Sequence, residues 1–104
     1  MPGAASVLTM DVLDPARVDD AVAGGLGWER QGSELVKVHM GRDFADALSY
    51  VNEVGAVAEQ AAHHPDIMIQ WNTVTLRLST HSAGGITNLD LDLARRIDAL
   101  GAGH

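Results

Sequence analysis

The hydrophobic pattern of this chain changes period and then changes back. From Glu34 to Met40 it alternates, with Val36, Val38 and Met40 on one side and Lys37 and His39 on the other. A period of two is that of a half-buried strand. From Asp43 the spacing becomes i, i+3, i+4, i+7. Phe44, Ala47, Leu48, Val51, Val54, Gly55, Ala58 and Ala62 then share one stripe, which predicts a helix over about 43–62 with Asp43 as N-cap. Pro65 ends that helix, because it disfavours helical backbone at His64. Alternation returns in Ile67, Ile69 and Trp71 and again in Val74, Leu76 and Leu78, joined by a short hairpin connection at Asn72-Thr73. Strands with one apolar face suit an antiparallel sheet that helices cover on one side.

The flanks extend the pattern. Asp14-Pro15 reads as a helix start and Gly24-Gly25 as its stop, giving a helix over about 14–23. Trp28 falls in a short strand that turns at Gln31-Gly32-Ser33 and pairs with the 34–40 strand. After the loop Ser82-Ala83-Gly84-Gly85, Thr87-Asn88-Leu89-Asp90 resembles a capping box with Asp in the place of Glu. Ile86, Leu89, Leu93, Ile97 and Leu100 align behind it, and Gly101 closes the last helix. The expected fold is α+β: a four-stranded antiparallel sheet with three helices on one face, in the order α-β-β-α-β-β-α. Residues 13–104 form one domain, and residues 1–12, small and without pattern, are expected to be a flexible extension.

Composition narrows the function. A chain of 104 residues has no room for a separate cofactor domain. Fourteen acidic residues against seven basic ones, with Lys37 the one lysine, oppose nucleic-acid binding and an anionic membrane surface. The absence of Cys excludes disulfides and thiolate catalysis and suits a reducing cytoplasm, the expected location. No apolar run is long enough to span a bilayer, and the N-terminus lacks the basic and apolar regions of a signal peptide. Aromatic residues are only 4% of the chain, so the core must be aliphatic.

Against this plain background the histidines stand out. His63-His64-Pro65 ends the central helix and His81 ends the last strand, places where a rigid scaffold presents reactive groups. Glu59 precedes His63 by four residues, one helical turn, where a carboxylate can fix an imidazole's tautomer. Taken singly, His63 also suits a helix C-terminus and Asp90 a helix cap. Three His and a carboxylate could bind zinc. However, adjacent His63 and His64 in extended backbone point apart, and neither has a His at i+4, so no metal is expected.

The run Glu59-Gln60-Ala61-Ala62-His63-His64-Pro65, then Trp71, Leu78-Ser79-Thr80-His81, Gly85-Ile86-Thr87 and Asp90 resembles the pterin-4a-carbinolamine dehydratases, from Leu26-Gly27-Trp28 to about Leu100. The resemblance implies a homodimer or homotetramer and a dehydration of 4a-hydroxytetrahydropterin to quinonoid dihydropterin, which links the protein to an aromatic amino-acid hydroxylase. It implies no cofactor, since the pterin is the substrate. It assigns catalysis to His63, His64 and His81 and support to Glu59 (for His63) and Asp90. Substrate contact is expected at Trp71, Pro65, Ser79 and Thr80. Val38, Met40, Ile67 and Met68 stand where members often carry aromatics, and Ala83 where a Cys often follows the Thr-His. Relatives that serve as dimerisation or assembly factors make a protein-interaction module the alternative.

Overall fold

The structure, a computed structural model, describes residues 11–101. The order is α1 (Pro15–Ala23), β1 (Glu29–Gln31), β2 (Glu34–Met40), α2 (Phe44–Ala61), β3 (Asp66–Gln70), β4 (Thr73–Leu78) and α3 (Asn88–Gly101). The strands form one antiparallel sheet in the order β1-β2-β4-β3, so the expected α+β fold is the one observed. The expectation for the N-terminal extension falls mostly on residues outside those described.

Each helix starts where its local chemistry allows. Pro15 needs no N–H partner in the first turn, although the Asp14 side chain makes no capping bond. At α2 the Asp43 carboxylate accepts the Asp46 N–H at 2.8 Å, and Asp46 in return accepts the Arg42 N–H at 2.8 Å. At α3 one half of the capping box that the motif implied is present: Asp90 accepts the Thr87 N–H at 2.9 Å, while the Thr87 hydroxyl accepts the Leu89 N–H at 3.2 Å and the Asp90 N–H bonds the Thr87 carbonyl at 3.1 Å.

The core lies between the helices and one face of the sheet. Leu35, Val74, Leu76 and Leu78 from the strands meet Ala47, Tyr50 and Val54 of α2 and Leu91, Leu93, Ala94 and Ile97 of α3. Two expected faces are corrected. In β2, Leu35, Lys37 and His39 share the core side with Leu78, Leu76 and Val74, while Val38 and Met40 are exposed on the outer side. The polar-looking face goes inward because it finds distant partners. His39 stacks on Tyr50 with centroids 3.7 Å apart, and the Lys37 ammonium reaches Asp98 at 2.9 Å. Asp98 also accepts the Gly27 N–H at 2.7 Å and the Trp28 indole N–H at 2.9 Å, which ties α3 to the segment before β1. In α2 the buried line is Ala47, Tyr50, Val54 and Ala58, and Phe44 and Leu48 are exposed on its flank.

The β3–β4 turn is also displaced, by one residue, to Trp71-Asn72. Strand β3 ends at Gln70, and Trp71 sits in the two-residue loop at φ +54°, in left-handed backbone. Asn72 fastens this end of the sheet to β2: its carbonyl accepts the Gly41 N–H at 2.8 Å and its amide donates to the Gly41 carbonyl at 2.9 Å.

Candidate active site

Helix α2 stops abruptly. Ala62 takes left-handed backbone at φ 52°, and its N–H and that of His63 close the helix on the Glu59 and Ala58 carbonyls at 3.2 Å each. His63 therefore leaves the helical register that would have set it above Glu59. Glu59 meets His64 instead: its Oε2 and the His64 Nε2 are hydrogen-bond partners, both side chains largely exposed. The expected Glu59–His63 pair is thus replaced by Glu59–His64, because the helix ends at Ala61, two residues short of the i,i+4 position.

His63 finds its carboxylate across the fold. Its Nε2 lies 2.5 Å from Oδ1 of Asp90 in the first turn of α3. Asp90 is completely buried. Its other oxygen accepts the Thr80 hydroxyl at 2.7 Å and the Thr87 N–H at 2.9 Å, and the Thr80 and Thr87 hydroxyls are themselves 2.7 Å apart. An ionised carboxylate only accepts. Asp90 therefore holds a proton on His63 Nε2 and leaves Nδ1 as the nitrogen free to exchange one.

These groups border one open cleft of about 400 Å³, lined by Ala62, His63, His64, Asp66, Ser79, Thr80, His81, Ser82 and Leu89. The three histidines are brought together from the α2–β3 connection and the turn after β4. His81 is exposed and its ring makes no hydrogen bond or ion pair with a described residue. Thr80, expected at the substrate, lines the cleft but turns its hydroxyl to Asp90, and Ser79 also lines the cleft. Pro65 does not line it. Nor does Trp71, which lies at the other end of β3, roughly 17 Å away at the strand's rise per residue, and is 70% exposed. Among the described residues, no three His, Asp or Glu side chains converge to hold a metal ion. The sequence reading missed Asp66, Ser82 and the Thr87 hydroxyl. Asp66 had a visible signal, since it follows His-His-Pro directly, whereas the reach of Thr87 to Thr80 exists only in the folded chain.

Comparison with known proteins assigns the chain to a family. The profile of the family described as Pterin 4 alpha carbinolamine dehydratase matches residues 11–100. The chain belongs to that family. A protein of Thermomicrobium roseum, provisionally named pterin-4-alpha-carbinolamine dehydratase, is 49% identical over 90 residues, covering 82% of this chain and 97% of its own. A similarly named protein of Nocardia farcinica is 44% identical over 93 residues, covering 89% and 98%. Among solved structures, a transcriptional coactivator/pterin dehydratase from Brucella melitensis superposes with a TM-score of 0.79 at 27% identity, covering 86% of this chain and 97% of its own. A pterin dehydratase-like protein identified as a RuBisCO assembly factor in the alpha-carboxysome superposes with a TM-score of 0.60 at 25% identity, covering 71% and 88%.

Proposed function

We propose that this member of the family is a catalytic dehydratase acting on 4a-hydroxytetrahydropterin. The observation that carries the proposal is the convergence of His63, His64 and His81 on one cleft, with His63 fixed by the buried Asp90. The reaction needs two proton transfers. The C4a hydroxyl is a poor leaving group and departs as water once it is protonated. Loss of the N5 proton supplies the electron pair that forms the N5–C4a double bond, and the products are quinonoid dihydropterin and water. Imidazoles perform both transfers near neutral pH. His63 and His81 are the acid–base pair: one delivers a proton to the leaving hydroxyl and the other receives the N5 proton. His64, paired with Glu59, lines the same cleft.

With this activity go a cytoplasmic location, a homo-oligomeric state and a supply of carbinolamine from an aromatic amino-acid hydroxylase. The second reading is a protein-interaction module on the same fold. It draws on the exposed Val38, Met40 and Met68 of the outer sheet face and on the assembly-factor neighbour. Stopped-flow dehydration of freshly made 4a-hydroxytetrahydropterin separates the two. The enzyme should speed loss of the carbinolamine, and His63→Ala and His81→Ala should each lose most of that acceleration. If the wild-type protein matches buffer, the interaction module replaces the enzyme.

A further inference from the structure

We infer that Asp66 is the specificity-determining residue of the cleft and recognises the amino-pyrimidine edge of the ligand. The inference rests on the pterin reading above and deepens it. Asp66 opens β3 immediately after Pro65 and lines the cleft with the three histidines. It is the one carboxylate among the lining residues. The two other acids of the site are already occupied, Asp90 by His63, Thr80 and Thr87, and Glu59 by His64.

Asp66 is exposed and makes no hydrogen bond or ion pair with a described residue. Its natural rival partner is Arg77, directly opposite on β4. The Arg77 guanidinium instead contacts Glu34, at 3.5 Å. The cleft thus offers an unengaged pair of acceptor oxygens beside its imidazoles, and no side chain among the described residues competes for them.

A carboxylate in such a place selects a ligand with two parallel N–H donors. The 2-amino group and N3–H of a pterin are such a pair. They lie on the pyrimidine ring, to which C4a also belongs, so a grip there leaves the C4a/N5 edge for the histidines. A lumazine has an oxo group in place of the 2-amino group. It would point an acceptor at the carboxylate and be rejected, since a polar group left facing a like group costs more than a missing contact.

The test measures binding of pterin and of lumazine, at a pH where both are neutral, by quenching of ligand fluorescence, beside dehydratase turnover. Wild type should prefer pterin. Asp66→Asn keeps the shape but can donate to an oxo group, so pterin affinity should fall about 10- to 100-fold and the preference should shift toward lumazine. Asp66→Ala should weaken pterin and gain nothing for lumazine. Because the Asp66 side chain holds no other described residue, melting temperatures should stay at the wild-type value. Wild type that binds pterin and dehydrates the carbinolamine while Asp66→Asn keeps the same pterin-to-lumazine ratio overturns this inference alone. Wild type that neither binds pterin nor dehydrates the carbinolamine overturns the pterin reading and the inference together.

Discussion

Replacing Asp90 with asparagine separates what this residue does for the fold from what the proposed dehydration requires of it. The side chain is fully buried and accepts three hydrogen bonds, from Thr80, Thr87 and His63, at 2.5–2.9 Å. In Asp90→Asn the amide oxygen can still accept from the Thr80 hydroxyl and the Thr87 N–H. Each of those bonds loses its charge assistance, about 1 kcal/mol apiece, so the variant should lose roughly 2 kcal/mol of stability. For a domain of this size that corresponds to a fall in melting temperature of roughly 10 °C. The effect at His63 is different in kind. The introduced amide nitrogen donates where the carboxylate accepted, so Nε2 must become an acceptor and the proton moves to Nδ1. The nitrogen left to the cleft then cannot accept a proton, and on a neutral imidazole without its carboxylate it donates one only weakly, so in either role kcat should fall by about 10²- to 10⁴-fold, the range for loss of a positioned acid or base. Circular dichroism and thermal melting would report the first effect, and stopped-flow dehydration the second. A folded Asp90→Asn protein with kcat within a few-fold of wild type would refute the role assigned to Asp90 in orienting His63.

Two further outcomes follow from the same geometry. Glu59→Gln should change stability by less than about 0.5 kcal/mol, because the Glu59–His64 pair is exposed on both sides, and it should lower kcat far less than Asp90→Asn; a larger kinetic loss than that of Asp90→Asn would restore Glu59 as the principal support. Tyr50, the only tyrosine, is buried in the core, and burial pushes its phenol up to about 12, with the charges of Asp98 and Glu53 adding to the shift. An unfolded chain releases that proton near pH 10 and the folded one does not, so stability is intact below about pH 10 and falls by up to ~1.4 kcal/mol per pH unit from there toward 12. Urea unfolding across that range, with phenolate absorbance followed in parallel, should show this slope in wild type and a shallower one in Tyr50→Phe.

What the sequence made legible is what depends on near neighbours. The period change at Gly41–Asp43 placed α2, the alternation placed β2, β3 and β4, and Thr87-Asn88-Leu89-Asp90 announced the cap of α3. What it hid depends on partners far along the chain. Lys37 and His39 look like a solvent face until Asp98 and Tyr50 are set above them, and by the same inversion Val38 and Met40 come to lie outside. Glu59 and His63 have the right spacing for a helical pair, yet the left-handed Ala62 ends the helix between them. The histidine set was legible because residue type alone marks it. Its wiring to the carboxylates was not, because that depends on where α3 begins.

That dependence joins folding to chemistry at a single side chain. Asp90 closes the first turn of α3 by taking the Thr87 N–H, and with its other oxygen it takes His63. The Thr80 hydroxyl, from the end of β4, joins the same oxygen as Thr87, so the strand end, the helix start and the His-His-Pro segment meet on one buried group. A helix N-terminus is also a favourable place for a negatively charged side chain, which suits a carboxylate in the first turn of α3. The orientation of His63 is therefore only as stable as the first turn of α3. Fraying of that turn would release the imidazole before the core of the domain opens, and loss of activity should precede loss of secondary structure as the protein is warmed.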